Sequence, residues 1–304
     1  MHRNNKQITV VIPVHSSTFQ VSLIQNIFNS LSNLPFKIVF VADSFLQCQN
    51  KDLAQLMGNY EGLDIILIDG VFNSPGESRN AGIRVSTTTW ICFWDGDDNP
   101  IPKNFLKMRD YGEAKNLDAV IGSFELIKND YNSVENILKE RNQIQTIDDF
   151  YLNPAVWRVI FRRSSIELIS FTAFRMGEDQ CFISDFLHTK PRIEYLNIKC
   201  YQYVVGNNFQ LTANQLSMRE IVKSFHYVYA NKRTNHLSSN EFDIVCLFRL
   251  YLSAIRKIKG LERLEMFMSL TPKILKTTFL YPKESLGTII LISKVKRVRK
   301  QAEY

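Results

Sequence analysis

The sequence has few of the residues that define disulfide-rich, metal-cluster or low-complexity proteins. Its 304 residues include 5 cysteines, 12 glycines and 9 prolines, and no two cysteines form a Cys-x-x-Cys pair. An odd number of scattered cysteines argues against a disulfide framework and against a zinc site. The low glycine and proline content excludes collagen-like and linker-dominated chains. We therefore interpret the cysteines as buried structural thiols.

Long apolar runs are missing as well. Residues 1–7 lack the apolar core of a secretory signal. The uncharged stretch 286–292 near the C-terminus is far shorter than the roughly 20 residues that a membrane span needs. With 45% hydrophobic and 22% charged residues, the chain can still bury a large core. These features predict a soluble, cytoplasmic protein with one large domain or one domain and a smaller addition.

Positive charge is concentrated at one end of the chain. The formal net charge is +7, but residues 249–300 alone carry 13 Lys and Arg against three Glu. This region ends in the run 294–300, Lys-Val-Lys-Arg-Val-Arg-Lys. Such a run either contacts nucleic acid, an anionic membrane face or an acidic partner, or forms a solvated tail.

In the first 125 residues, short apolar and β-branched runs alternate with amphipathic segments. The runs predict strands over 8–14, 37–42, 63–68, 90–94 and 118–122. This alternation indicates an α/β fold with a mostly parallel central sheet flanked by helices. Later residues predict strands at 157–161, 193–196 and 201–205, a helix at 180–187, and a helical extension beyond 215.

Polar residues follow four of the predicted strands. They are His15-Ser16, Asp43-Ser44, Asp69-Gly70 and Asp95-Gly96-Asp97-Asp98. In open α/β sheets, ligands bind beyond the carboxyl ends of the strands. We therefore expect a ligand site at this edge of the sheet.

The run Asp95–Asp98 is the sharpest local signal. Two carboxylates one residue apart at a strand end can point into one cleft, and Gly96 allows a tight turn between them. Hard oxygen ligands of this kind suit Mg²⁺ or Mn²⁺ that bridges to a diphosphate. The alternatives are a type I′ hairpin turn or a solvated loop.

Two further segments carry candidate residues. Ser74–Gly82 indicates a turn into a helix N-terminus, where free amides and Arg79 would meet an anion. It matches neither G-x-G-x-x-G nor the Walker A loop, and the alternative is an ordinary capped helix with a surface Arg. Glu178-Asp179 opens another predicted helix and supplies either a general base or a favourable charge on the helix dipole.

In this order along the chain, the features resemble the family 2 glycosyltransferases with the GT-A (Rossmann-like) fold, in particular those of bacterial capsule and lipopolysaccharide synthesis. The resemblance covers 8–125 and 154–205 and says little about residues from 215 on. It implies a GT-A domain over 1–214, with a nucleotide-binding half (1–125) and an acceptor half (126–214). The helical, basic region 215–304 is expected to contact a membrane or a partner.

The resemblance also implies a nucleotide site at the ends of the first two strands. Pro13, Val14 and His15 are expected to line the base, and Asp43 to hydrogen-bond the base or ribose. The chain departs from the family here. It has His15-Ser16 where members often carry Tyr-Asn, and Ala-Asp-Ser-Phe around Asp43 where they carry Asp-Asp-Gly-Ser.

For the rest of the donor, the resemblance implies contacts in the middle of the domain. Arg79 and Asn80 are expected to contact the diphosphate, and Asp95 and Gly96 to border the ribose. Asp97 is expected to ligate a divalent cation, Mn²⁺ or Mg²⁺.

The implied reaction is an inverting transfer from a nucleotide-diphosphate sugar, with a UDP-sugar expected, to a hydroxyl of a glycan or lipid-linked glycan. Asp179 is expected to be the catalytic base, with Glu178 beside it in the donor site. A lipid-linked acceptor would place the enzyme at the inner face of the plasma membrane, where an anionic surface binds its basic C-terminus.

Three other functions stay open on the sequence. A sugar-nucleotide nucleotidyltransferase would share the layout, but it needs a Gly-rich loop with Arg and Lys where this chain has residues 13–17. A non-catalytic nucleotide- or glycan-binding module would not need Asp97 and Asp179. Nucleic-acid binding by the basic tail would show a steep salt dependence, and it is not the function expected here.

Overall fold

The structure is a computed structural model that describes residues 8–128, 147–205, 215–234, 241–258 and 260–301. The described residues divide into two compact units. Those within 1–140, 155–173 and 191–210 form the first unit, and those within 141–154, 174–190 and 211–304 form the second. The predicted division at residue 214, and that at 125, remain predictions. Residues 147–154 and 174–190 group with the C-terminal helices.

The first unit is built on an eight-stranded sheet of order β3-β2-β1-β4-β7-β6-β8-β5. The strands are β1 (Ile8–His15), β2 (Phe36–Asp43), β3 (Asp64–Gly70), β4 (Trp90–Phe93), β5 (Asn99–Pro100), β6 (Ala119–Lys128), β7 (Val159–Arg162) and β8 (Ile193–Val205). Four of the seven described pairings are parallel, and β7 runs antiparallel between β4 and β6. The predicted α/β fold with a mostly parallel sheet is therefore confirmed.

The three strands predicted after residue 150 differ from the structure in their extent. The segments 193–196 and 201–205 are parts of the single strand β8. Exposed Asn197 and Lys199 lie between them, but they alternate with more buried neighbours, as residues of one strand do. In the segment 157–161, a 3-10 turn over Val156–Arg158 precedes β7.

Four helices pack on this sheet within the described part of the first unit: α1 (Val21–Leu31), α2 (Gln47–Gly58), α3 (Pro75–Val85) and α4 (Pro102–Ala114). Helix α1 buries four apolar residues at helical spacing: Ile24, Ile27, Phe28 and Leu31. The core beneath is aromatic, and Trp94 lies with ring centroids 5.1 Å from Phe105 and 5.6 Å from Phe36. Four of the cysteines are buried as predicted, whereas Cys48 is exposed.

The second unit is helical in its described residues: α5 (Ile147–Leu152), α6 (Glu178–His188), α7 (Gln215–Thr234), α8 (Glu241–Lys257), α9 (Leu261–Leu280) and α10 (Pro282–Gln301). This confirms the predicted helical C-terminal region. A buried carboxylate, Asp243 of α8, accepts hydrogen bonds from Ser184 Oγ at 2.7 Å and pairs with His188 Nε2 at 2.7 Å. None of the helices in the described ranges is long and apolar enough to cross a membrane.

Candidate active site

The carboxyl ends of the parallel strands lie side by side at one edge of the sheet. His15 is in register with Asp43, and Asp43 is in register with Gly70. The Trp94 amide, directly after β4, donates to the Val11 carbonyl at 3.0 Å. The polar strand ends seen in the sequence therefore lie along one edge, where ligands bind in α/β folds.

Residues Asp95–Asp98, which we call the acid loop, connect β4 to β5. Strand β5 pairs with β8, and Gly96 is not among the glycines with positive φ in the described residues. The alternative of a type I′ hairpin turn is therefore wrong. A Cβ on Gly96 would lie 2.6 Å from Val14 Cγ2, closer than real Cβ contacts come. Glycine is required here because the loop passes directly against β1.

Arg79 of α3 reaches the acid loop from inside the fold. Helix α3 has the predicted capped start: the Ser74 side chain accepts a hydrogen bond from the Glu77 amide, and Pro75 follows the cap. Arg79, however, is only 4% exposed, and its Nη2 donates to Asp95 Oδ1 at 2.9 Å. Its guanidinium also lies 5.5 Å from the ring centroid of Phe171. The alternative of a surface Arg on an ordinary helix does not fit this geometry.

Asn80 is engaged by the main chain of Phe171. Its Nδ2 donates to the Phe171 carbonyl at 2.9 Å, and its Oδ1 accepts from the Phe171 amide at 2.8 Å. The two bonds fix the aromatic residue that lies against Arg79. The predicted contact of Asn80 with the donor stays a prediction.

The acid loop holds its carboxylates at an electrostatic cost. Burial, and then the charge of Asp95, raise the pKa of Asp97 to about 6. Burial, followed by Asp95 and Asp97, raises the pKa of Asp98 to about 9. Like charges close together in a dry site disfavour ionisation of one another. The loop is therefore short of positive charge even with Arg79 beside Asp95.

These acids fit a divalent cation that is shared with a ligand. In the described residues, no three His, Cys, Asp or Glu side chains are grouped so that they alone would hold a metal ion. Mg²⁺ is usually bound by one or two carboxylates together with substrate phosphates and waters. Asp97 would supply one such oxygen donor, and a cation there would offset the burial and the Asp95 charge that raise its pKa.

The residues expected around the nucleotide base differ in their exposure. Pro13 is half-buried and His15 is exposed, whereas the side chain of Val14 lies in the core. A ligand at this edge would therefore meet only the main chain of Val14. Asp43 is buried, and its Oδ1 accepts from Ser44 Oγ at 2.8 Å and from the Phe72 amide at 2.9 Å. Asp43 thus also fixes the loop that follows β3.

Glu178 and Asp179 begin helix α6 in the second unit, as the sequence predicts. The preceding Gly177 has a left-handed φ of 81°, and a Cβ there would lie 2.6 Å from Ser224 Oγ. Ser224 Oγ donates to the Met176 carbonyl at 2.7 Å, so α7 fixes the start of α6. Glu178 is buried and Asp179 is half-buried. The predicted convergence of Asp179 with the acid loop stays a prediction.

Sequence reasoning did not single out Tyr201 as a site residue. Its hydroxyl accepts a hydrogen bond from the Asp95 amide at 2.9 Å, and the whole residue is buried. The sequence did contain one indication of this contact: Tyr201 lies within an apolar strand, and a buried tyrosine hydroxyl needs a polar partner.

Comparison with known proteins places this site in a family. The model of glycosyl transferase family 2 matches residues 9–174. The poly(ribitol-phosphate) β-N-acetylglucosaminyltransferase TarP of Staphylococcus aureus is 21% identical over 238 residues, which are 75% of this chain and 71% of TarP. A poly(ribitol-phosphate) β-glucosyltransferase of Bacillus spizizenii is 27% identical over 213 residues. The aligned part makes up 66% of this chain but only 32% of that relative.

Solved structures share the fold at low sequence identity. Residues 1–349 of Staphylococcus aureus TarS, in complex with UDP-GlcNAc, align with a TM-score of 0.55 at 14% identity, covering 89% of this chain and 88% of that one. The mannosyltransferase PcManGT of Pyrobaculum calidifontis, with GDP-Man and Mn²⁺, aligns with a TM-score of 0.58 at 12% identity, covering 96% and 86%. The family match spans more than half of the residues and includes the acid loop and Arg79. The chain belongs to glycosyl transferase family 2 and is a glycosyltransferase.

Proposed function

We propose that this glycosyltransferase transfers a sugar from a UDP-sugar, with inversion, to a hydroxyl of a glycan or lipid-linked glycan in bacterial surface-polysaccharide synthesis. The observation that carries the proposal is the ion pair of buried Arg79 with half-buried Asp95, beside Asp97 at the carboxyl edge of the sheet. The names of TarP and of the Bacillus relative support a glycan acceptor. The UDP-GlcNAc bound to TarS supports a UDP-linked donor.

The leaving nucleoside diphosphate makes the largest electrostatic demand of this reaction. Negative charge grows on the diphosphate as the bond from the anomeric carbon to its oxygen breaks. Groups fixed in advance in a water-poor site stabilise such charge most effectively. Arg79 is held by Asp95 and is suited to this role, because it is almost fully withdrawn from solvent.

Asp97 would hold the divalent cation, Mn²⁺ or Mg²⁺. When bound, the cation would neutralise charge on the diphosphate and so make it a better leaving group. Asp95 keeps Arg79 in place beside this position. The Mn²⁺ in PcManGT, which shares the fold, supports the use of a divalent cation.

Asp179 would act as the general base, with Glu178 beside it. It takes the proton of the acceptor hydroxyl while that oxygen forms its bond to the anomeric carbon, and the diphosphate leaves from the opposite face. One displacement inverts the configuration and needs no covalent enzyme intermediate. The reaction therefore needs one base and one group of residues that stabilises the leaving group.

The test is a panel of nucleotide sugars with Mn²⁺ or Mg²⁺, scored by release of nucleoside diphosphate. We expect turnover with a UDP-sugar, and a loss of about 10²–10⁴-fold in Asp97→Ala and in Asp179→Ala. The control is Asp64→Ala, which removes an exposed carboxylate at the opposite end of β3. Full turnover in both site variants would overturn the proposed roles.

The proposal includes attachment to an anionic membrane surface through α9 and α10. Large apolar side chains are exposed along α9, and Phe279 is 85% exposed. The others are Leu264, Phe267, Met268, Leu275 and Leu280. Helix α10 buries Ser285 and Thr288 and exposes Leu286, Ile289 and Ile290. Residues 249–300, which include most of these two helices, carry a net charge of +10. Exposed apolar side chains in such a basic region are typical of helices that lie on anionic lipid.

Sedimentation with lipid vesicles tests the attachment. We expect the protein to bind phosphatidylglycerol vesicles, and Leu275→Glu with Phe279→Glu to weaken this binding at least about tenfold. The matched control is Leu168→Glu, since Leu168 is 99% exposed but belongs to the first unit. Equal binding to phosphatidylcholine, or equal effects of the variant and the control, would contradict the attachment.

A further inference from the structure

Strand β8 holds the acid loop at both of its ends. At the first residue, the Asp95 amide donates to the Tyr201 hydroxyl at 2.9 Å. At the last residue, Asp98 Oδ1 accepts from the Val204 amide at 2.8 Å. Asp97 lies between these two points. Its position is therefore set by how firmly β8 fixes the main chain on either side.

The Tyr201 side chain has no freedom to move away from Asp95. The residue is completely buried, and its ring stacks on Trp157 with centroids 4.6 Å apart and an interplanar angle of 19°. Trp157 also stacks on Tyr203, two residues along the same face of β8, at 5.5 Å. The edge of Phe124 closes against Trp157 at 4.9 Å. Packing of this kind fixes a ring in one orientation and keeps its hydroxyl in place.

The main chain beside Tyr201 adds to this attachment. Pro100 of β5 is paired with Tyr201, and the Ile101 amide donates to the Cys200 carbonyl at 2.8 Å. The Tyr201 hydroxyl and the Asp98 carboxylate are thus the side-chain contacts in a set of bonds that otherwise runs through the backbone. Removing the Tyr201 hydroxyl takes away the bond from the Asp95 amide and the hydrogen-bonding interaction with the Asp98 carboxyl, and leaves the strand pairing intact.

We propose that Tyr201 is a positioning residue, whose hydroxyl fixes the Asp95 main chain and thereby the direction of the Asp97 carboxylate and the Arg79–Asp95 pair. The proposal rests on the proposed donor-binding role of the acid loop. Tyr201 acts through the loop, and Trp157 acts through Tyr201. Partners that orient the groups which hold a cation commonly change its affinity by about 10–100-fold when they are lost.

The test compares Tyr201→Phe with Tyr111→Phe. Tyr111 also belongs to the first unit, and its hydroxyl bonds Glu194 at the other end of β8. We expect Tyr201→Phe to weaken Mn²⁺ and UDP binding, measured by calorimetry, by about 10-fold or more. Tyr111→Phe is the control, and it should leave the affinities for Mn²⁺ and for UDP within about twofold of the wild-type values. Trp157→Phe, which keeps the hydroxyl but loosens the ring, should give an intermediate loss.

A readout without ligand separates this inference from the proposed function. We expect the Asp95 amide to exchange its proton at least about tenfold faster in Tyr201→Phe, because it loses its acceptor. Unchanged exchange, or unchanged affinities, would overturn the positioning role while the proposed function stands. If the wild-type protein binds no nucleoside diphosphate, the proposed function fails, and the donor-related part of the inference fails with it, even where the exchange result agrees.

Discussion

Arg79 donates from Nη2 to Oδ1 of Asp95 at 2.9 Å, and the two side chains are 4% and 29% exposed. A planar guanidinium is specified at this place, because a lysine carries the same charge but lacks the fixed fork of donors. We expect Arg79→Lys to lower kcat/KM for the donor by about 10²–10³-fold with little loss of stability. Steady-state kinetics and thermal unfolding check this. Arg84→Lys, an exposed position on the same helix, is the control and should behave as the wild type.

Gly96 is expected to be intolerant of any side chain while Val14 is present. A Cβ at position 96 would overlap Val14 Cγ2 at 2.6 Å, so Gly96→Ala should lower the free energy of unfolding by about 1–3 kcal/mol. Adding Val14→Ala provides space for the new methyl group. The double variant should therefore cost less than the two single changes added together, as denaturant unfolding would reveal. Simple additivity would contradict the contact.

Asn80 offers a test between two roles. Its amide makes two bonds to the Phe171 main chain, so Asn80→Ala should destabilise the protein by about 1–3 kcal/mol. Asn104→Ala removes one such bond, to the Lys199 carbonyl, and should cost about half as much. If Asn80 also contacts the donor, as the sequence predicts, the KM of Asn80→Ala for the donor should rise as well. A variant of full stability would contradict the structural role.

Stability of the second unit is expected to depend on pH through His188. Its hydrogen bond with buried Asp243 raises the pKa of His188, and Asp185 adds to this shift, while burial opposes it. A folded-state pKa above the unfolded value, which is about 6.5, stabilises the fold at lower pH. This contribution is lost as the pH rises through the folded pKa. Unfolding of the wild type and of His188→Gln should therefore differ most below the unfolded pKa of about 6.5, and least in alkaline solution above the raised folded pKa.

A pH-independent difference between these two proteins would show that the pair is not titrating. Ser184→Ala serves as the control, because it removes the other bond to Asp243 without removing a titratable group. Its cost should stay nearly constant across the same pH range.

Sequence patterns predicted β1 to β4 because each is a short apolar run followed by polar residues, but they did not predict the two-residue strand β5. They also predicted the acid loop, since carboxylates follow a buried strand. The antiparallel direction of β7 was not accessible, because periodicity reports which residues are buried but not which way a strand runs. The burial of Arg79 was missed for a similar reason. A charged residue is read as exposed unless its partner, here 16 residues away, is known to lie beside it.

Tyr201 shows the same limit from the other side. The sequence places it in a strand, yet its contact with Asp95 joins positions 106 residues apart. No local pattern encodes such a contact. It depends on β8 lying next to β5, which is fixed only once the whole sheet has formed.

The close approach of the acid loop to β1 has a consequence for how this protein can change over evolutionary time. Replacement of the glycine at position 96 becomes acceptable only after the neighbouring valine at 14 has shrunk, because the two occupy one small volume. Descendants of this sequence should therefore substitute the two positions together, valine first.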